Sequence, residues 1–563
     1  VSKPKNKIKQ EAHKNIISPA EKAFKIKYPV LLLILAIVLV YAVSINFGYT
    51  ELDDSIFIRQ YHEYNENLSN LITSFHRGVF DPTQDIYYRP LFLDSMILNY
   101  VISEDNIAGY HVVNILMHII AVLLLFKLFR KLNINELHAF ILCLIFAVHP
   151  VLSQAVAWIP GRNDVMLAIF TFSFLICSLN YSNEGKTKWL LLSFLWLLAA
   201  YFTKETAVFN AVIAFVLIVY LKKSNWKERR NLLQYAVWVL CFIIWYAVRA
   251  TATLKGSYLS LDKMIIDFIH RLPVVIQYLG KIFFPFNLSV FPIMEDTVYY
   301  YGIAAVALLI AIIYFTKERN WRAIITGLVL FLLFLLPALL VPNGLNDQVF
   351  EHRLYLPITG ILFILPYTIV FKNNWQQKKL VSAAVFIALI FGGINYLHQQ
   401  AFKDPLTFWN KAVATSPHSA YATMMLGERE VDDTAKAYAH IKKAYAMDSA
   451  QKYINYYYGM MLQNDGQVLQ SEPYFLAEKR ISGYYECDFY LARVYLMKGN
   501  LKAAEQHLEY YLKNDPENPK ANANLLILLI NEKEKQKAEA QLARMQQIGI
   551  SVDRSVIDTL NRL

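Results

Sequence analysis

Eleven stretches of this chain are apolar and long enough, or nearly so, to cross a hydrocarbon layer. A helix needs about 20 apolar residues to span about 30 Å. The runs are 29–48, 109–127, 136–158, 164–182, 188–203, 205–221, 231–249, 300–316, 322–342, 355–371 and 380–397. Runs of this length without strict alternation read as helices, whose backbone groups are satisfied internally in lipid. With 56% hydrophobic residues over 563, the chain is too apolar for a soluble protein and too mixed for a membrane domain alone. The expected fold class is all-α: a polytopic membrane protein of about 11 transmembrane helices followed by a polar helical domain.

The connecting charges order these spans. Lys and Arg collect on the cytoplasmic side. The basic connections are the N-terminus, 127–133, 183–188, 222–230, 316–322 and 371–379, which is every second one. This alternation places the N-terminus inside and, with an odd number of spans, the C-terminus outside. Residues 1–28 carry eight Lys and two Glu beside the first apolar run. Such a segment fits the cytoplasmic face and anionic membrane lipid better than nucleic acid. The first run is longer than a signal-peptide core and reads as a retained anchor. The short, interrupted stretches 91–102 and 272–286 read as interfacial or re-entrant helices, because counting one of them as a span would break the alternation. Four scattered cysteines, 143, 177, 241 and 487, form no disulfide framework and no metal spacing.

The expected domains are 1–28 as the basic cytoplasmic segment, 29–400 as the membrane domain with a first outer loop at 49–108, and 401–563 as an outer repeat domain. In the last, residues 487–520 place Leu491, Ala492, Tyr495, Gly499, Ala504, Leu508 and Pro516 at the spacing of a tetratricopeptide unit of about 34 residues. Three to four helix pairs of this kind stack into a short α-solenoid, because no pair buries its apolar face alone.

Sorted by this topology, the polar motifs fall at the outer connections: ELDDS (51–55), YYRPLF (87–92), GYHVVNILMH (109–118), HPVLSQAVAWIPGRND (149–164), TKET (203–206) and NDQVFEHRLYLP (346–357). Ionisable groups near membrane depth are costly and mark functional sites by default. Asp53 and Asp54 supply carboxylates. Arg89, Arg162, Lys204 and Arg353 supply cations from four different segments. Such cations hold a phosphate, and a carboxylate takes a proton from an acceptor hydroxyl. A phosphate at a membrane surface is most simply a lipid phosphate.

In sequence and order, these blocks resemble the transmembrane and tetratricopeptide-repeat-containing protein O-mannosyltransferases, which are GT-C glycosyltransferases. The resemblance implies an inverting transferase that moves a sugar, mannose by the family's pattern, from a polyprenyl-phosphate donor of undecaprenyl or dolichyl type. The acceptors are Ser or Thr hydroxyls of exported proteins, presented by the repeat domain. No cofactor is implied. By motif, Asp53 matches the catalytic base, Asp54 its acidic neighbour, and Arg353 the arginine near the donor phosphate. The chain departs from the eukaryotic pattern in being short, in having few repeats, and in reading Gln154 where an acidic residue is usual. Its style suits a bacterial homologue in the inner membrane with periplasmic repeats; a eukaryotic one would sit in the endoplasmic reticulum membrane with lumenal repeats.

The remaining candidates each carry two readings. Arg89 reaches the phosphate or braces the first loop. Arg162 and Asp164 bind substrate or pair with each other, and so do Lys204 and Glu205. His111, Asn114 and His118 share one helix face, as core groups or as substrate contacts. His149 sits before Pro150 at a span end. Glu351 orients Arg353, with His352 and Tyr355 as neighbours. No compact metal site is legible, and a divalent cation on Asp53, Asp54 and a His is the minority reading. Two other functions compete: a GT-C enzyme acting on a lipid or polysaccharide, and a non-catalytic scaffold or transporter with a docking arm. The peptide-sized repeat domain disfavours the first. Span centres free of Asp, Glu, Lys and Arg disfavour the second.

Overall fold

The computed structural model describes residues 26–80, 87–252, 261–341, 348–372 and 377–563. The basic stretch 1–25 lies outside the described residues. The described residues are helical and hold no strand; one isolated bridge joins Ile293 and Gln348.

Each of the eleven apolar runs is helical, yet their lengths differ. Among the described residues six helices are long and apolar enough to cross a membrane: Pro29–Asn46, Ile107–Lys131, Ile159–Glu184, Arg229–Ala252, Trp321–Leu340 and Gln377–Phe402. Four runs form shorter apolar helices, Thr187–Thr203, Glu205–Leu221, Tyr300–Tyr314 and Pro357–Tyr367. The run at 136–158 is no straight span. It breaks between Val148 and Pro150 with a bend of 52°. Pro150 has no N–H to continue the helix, and His149 seals the break. Its Nδ1 accepts from Val151 N at 3.2 Å and its Nε2 donates to Ile282 O at 2.9 Å. The stretches 91–102 and 272–286 form the separate helices Pro90–Ser103 and Val274–Phe283.

One large apolar core joins these helices. Close packing decides its tightest crossing. Gly327 and Gly360 face each other so closely that a methyl group on either would strike the other's carbonyl oxygen. This fixes the helix Pro357–Ile364, and with it the segment Glu351–Leu354 just before it, against Trp321–Leu340.

From Pro405 onward ten short helices follow one another to Asn561, each packed on the next. Side-chain caps start many of them: Asp404, Ser419, Asp433, Asn500, Asn518 and Asp553 each accept from a backbone N–H of the first turn. In the 487–520 unit, helices Glu486–Met497 and Leu501–Asn514 turn at Gly499, whose φ of 72° suits a residue without Cβ. The first of these helices are docked on the membrane region. A second core merges Phe47, Trp158, Phe291 and Phe350 with Phe408, Trp409 and Leu426. Ser416 Oγ donates to Phe291 O at 2.7 Å, Ser289 and Thr415 hydroxyls meet at 2.6 Å, and Gly48 N donates to Lys403 O at 2.8 Å.

Substitution Gly360→Val should force this crossing apart and cost about 1–3 kcal/mol. A lowered melting temperature of the detergent-purified protein checks it; an unchanged one refutes the packing argument.

Candidate active site

The two adjacent carboxylates have opposite environments. Asp54 is 1% exposed and accepts four hydrogen bonds: from Thr50 N at 2.7 Å, Thr50 Oγ1 at 2.9 Å, and Glu51 N and Ser55 N at 3.0 Å each. These bonds close the tight loop after the first span, including Glu51 at φ 57°. Asp54 is therefore a brace of its own loop, with its acceptor sites taken. Asp53 is half-buried, and among the described residues its carboxylate has no hydrogen-bond or ion-pair partner. Burial, then the Asp54 charge, push its pKa up to about 7, against the pull of Arg89.

Three of the four predicted cations share one field. Arg89 Nε lies 3.2 Å from Glu205 Oε2, whose other oxygen accepts from Tyr88 N at 3.1 Å. Lys204 Nζ reaches both oxygens of Asp164 at 2.7 Å and Asn163 Oδ1 at 3.0 Å. Arg353 donates to Gln348 O at 2.8 Å and pairs with no carboxylate among the described residues. Burial first, and then the charges of Lys204, Arg353 and Arg89, hold the His352 ring well below the usual imidazole range, so it is neutral. Burial also draws Lys204 below the ordinary lysine range, with Arg89 and Arg353 adding to the effect and Asp164 opposing it. Among the described residues these three cations face two carboxylates, Glu205 and Asp164, and Arg89 also acts on Asp53. That arrangement attracts an anion and keeps a proton acceptor next to it.

Several expected pairings differ. Arg162 is fully buried, and its donors are spent on Asn114 Oδ1 at 2.8 Å, Asn99 Oδ1 at 2.9 Å, Tyr110 O at 3.0 Å and Ser95 O at 3.4 Å. It clamps the helices Pro90–Ser103 and Ile107–Lys131 to its own, with four of its five N–H groups engaged and the side chain closed off from a phosphate by burial. Asp164 pairs with Lys204 rather than with Arg162, and Glu205 with Arg89 rather than with Lys204. Adjacent residues at a helix start point apart, so each finds a partner on a distant segment. Glu351 does not orient Arg353. It is fully buried, takes a bond from Lys281 Nζ at 2.7 Å and one from Ser289 N at 2.8 Å, and lies 3.5 Å from His398 Nε2.

The histidine face is internal. Asn114 Nδ2 donates to Val156 O at 3.1 Å, His118 bridges the Tyr355 hydroxyl at 2.7 Å and Ala147 O at 3.0 Å, and His111 is buried edge-on to Phe47. Together with His149, these groups and Tyr355 support the bundle rather than line the charged site. Lys281 and His398 escaped the sequence reading. Lys281 is a single charge inside the apolar YLGKIFF, which is the signal that marks it. Gln154 links the parts: its Nε2 donates to Val290 O at 3.1 Å and its Oε1 accepts from His352 N at 3.3 Å.

The fold and site define a polytopic helical membrane protein with an acid–cation cluster at one end of its bundle. Residues 95–248 match the family described as dolichyl-phosphate-mannose-protein mannosyltransferase. This segment contains Arg162, Asp164, Lys204 and Glu205, and leaves Asp53, Arg89 and Arg353 outside it. A Caenorhabditis elegans protein O-mannosyl-transferase is 26% identical over 358 residues, which is 61% of this chain and 50% of the relative. Mouse protein O-mannosyl-transferase TMTC1 is 35% identical over 109 residues, 19% of this chain and 11% of the relative. Human protein O-mannosyl-transferase TMTC2 is 36% identical over 121 residues, 21% and 14%. The chain thus spans half the length of the worm relative and far less of the others. These matches support the resemblance drawn from the motifs: the chain is similar to the transmembrane and tetratricopeptide-repeat protein O-mannosyltransferases of the GT-C class.

Removing one member of the buried Lys281–Glu351 pair strands the other. Lys281→Met should cost about 3–5 kcal/mol, and Lys281→Met with Glu351→Leu should recover much of that loss. Thermal unfolding of the four proteins of this cycle measures both; additive losses would show that the pair is not coupled.

Proposed function

We propose that the chain is an inverting glycosyltransferase that moves a mannosyl group from a polyprenyl-phosphate donor to Ser or Thr hydroxyls of exported proteins. The observation that carries this reading is the Asp53 carboxylate, without a partner among the described residues and in the field of Arg89, which shares the surroundings of His352 with Lys204 and Arg353. In the reaction Asp53 accepts the proton of the acceptor hydroxyl. The hydroxyl oxygen attacks the anomeric carbon on the face opposite the lipid phosphate. The bond from that carbon to the phosphate oxygen breaks, and the leaving phosphate keeps the electron pair. Arg353, with no carboxylate partner among the described residues, meets the growing charge most directly. Arg89 and Lys204, steadied by Glu205 and Asp164, complete the positive field. Base assistance of this kind contributes about 10²–10⁴-fold, or about 3–5 kcal/mol.

The same reading places eleven crossings in the membrane, with the N-terminus cytoplasmic and residues 401–563 as a tetratricopeptide solenoid on the outer side. In a bacterium that side is the periplasm. The relatives' names support mannose as the sugar, and the C-terminal helices packed on Phe47, Trp158 and Phe291 support a protein acceptor.

Transfer from mannosyl-phosphoryl-polyprenol to a Ser/Thr peptide tests the proposal. Asp53→Asn should lower kcat at least 100-fold, and Arg353→Ala about 100- to 1000-fold. Undiminished transfer by Asp53→Asn would refute it. The ionised base forms above its raised pKa, so the wild-type rate should climb with pH through about 7. For stability the sign is reversed. A carboxyl whose folded pKa is raised favours the folded state at low pH and loses that contribution as pH rises from 3.8 to about 7. Asp53→Asn should therefore gain stability over wild type across that window, by an amount on the order of 1–3 kcal/mol.

A further inference from the structure

A row of tyrosines runs from the charged site onto the C-terminal helices. Tyr421 stacks on Phe291 of the outer segment, with centroids 5.5 Å apart and planes at 16°. Tyr421, Tyr453 and Tyr457 pack half-buried on the core that also takes Leu52, the neighbour of Asp53. The Asp53 charge acts on the Tyr421 hydroxyl. The row continues from Tyr453 to Tyr484, edge to face at 5.0 Å, and from Tyr484 to Tyr485 at 6.0 Å. Among the described residues, no hydrogen bond engages the hydroxyls of Tyr421, Tyr453, Tyr457 or Tyr484, and none of the four is shut away from solvent.

We propose that this tyrosine row is the acceptor track, which takes an extended, unfolded polypeptide segment and leads its Ser or Thr side chain to Asp53. The inference rests on the transferase reading and names the residues that would recognise the acceptor. Free hydroxyls at intervals along a track donate to successive backbone carbonyls, whatever the side chains, as an enzyme with varied acceptors requires. The exposed ring edges take the apolar side chains between them. A glycan would need flat, open ring faces. Here neighbouring edges cover them: Tyr484 meets Tyr453 at 74° and Tyr456 at 82°. Continuity with the Asp53 loop gives the track its direction, since its first ring lies against the outer segment that carries Phe291.

The test uses the full-length protein in detergent and a fluorescein-labelled, unstructured peptide of about 20 residues rich in Ser, Thr and Pro. Fluorescence anisotropy reads binding without turnover. The triple variant Tyr453→Phe, Tyr457→Phe, Tyr484→Phe keeps every ring and removes three donors. It should bind the peptide at least tenfold more weakly and raise the acceptor KM in step, with the donor KM unchanged. Should the triple variant unfold, the three single variants carry the same test at a few-fold each. Unchanged peptide affinity overturns the proposal, as does binding of a labelled mannose oligosaccharide in preference to the peptide. A wild-type protein that binds the peptide through these hydroxyls yet transfers no sugar supports the track and refutes the transferase reading, so the two fail separately.

Discussion

Buried charge is stable only when it is paired or fully hydrogen-bonded, and that constraint organises the charged end of this molecule. Lys204 with Asp164, Arg89 with Glu205 and Lys281 with Glu351 are each joined across 40, 116 and 70 residues of sequence. Burying a single ion costs several kcal/mol, so each partner dictates where the other's segment must lie. The pairs thereby pin the first outer loop, the segment before Pro357 and the helix Val274–Phe283 around one charged space. Among the described residues, two charges remain after pairing: Asp53 without a partner and Arg353 without a carboxylate.

The C-terminal helices belong to the same construction. Glu351 takes its second bond from Ser289 N, and the Ser289 hydroxyl meets Thr415. A buried ion pair in the membrane region is thus two contacts from the first of the C-terminal helices, Pro405–Thr415. Phe291 and Trp158 extend that link through apolar packing. An acceptor held on the outer helices would approach a site whose cations are set by the same framework.

Much of the site was legible in single residues. Asp53, Arg89, Lys204 and Arg353 stand out because charge beside apolar runs is rare and costly. The ion pairs were not legible, because adjacency in sequence is no guide to pairing. In Arg162–Asn163–Asp164 and in Lys204–Glu205, side chains one or two residues apart leave the backbone in different directions, and each meets a distant helix. Arg162 shows the larger difference. Its sequence context equals that of a phosphate ligand, yet the fold encloses it among Asn99, Asn114 and two carbonyls.

Hydrophobic runs by themselves determined an all-helical chain and the places of its apolar helices, because each depends on local composition and period. Tertiary structure alone decided which acid meets which base, that Asp54 braces while Asp53 stays open, and that the run at 136–158 bends at Pro150. Those outcomes depend on contacts between segments far apart in the chain, and the cost of an unpaired buried charge is settled only when all the segments are in place.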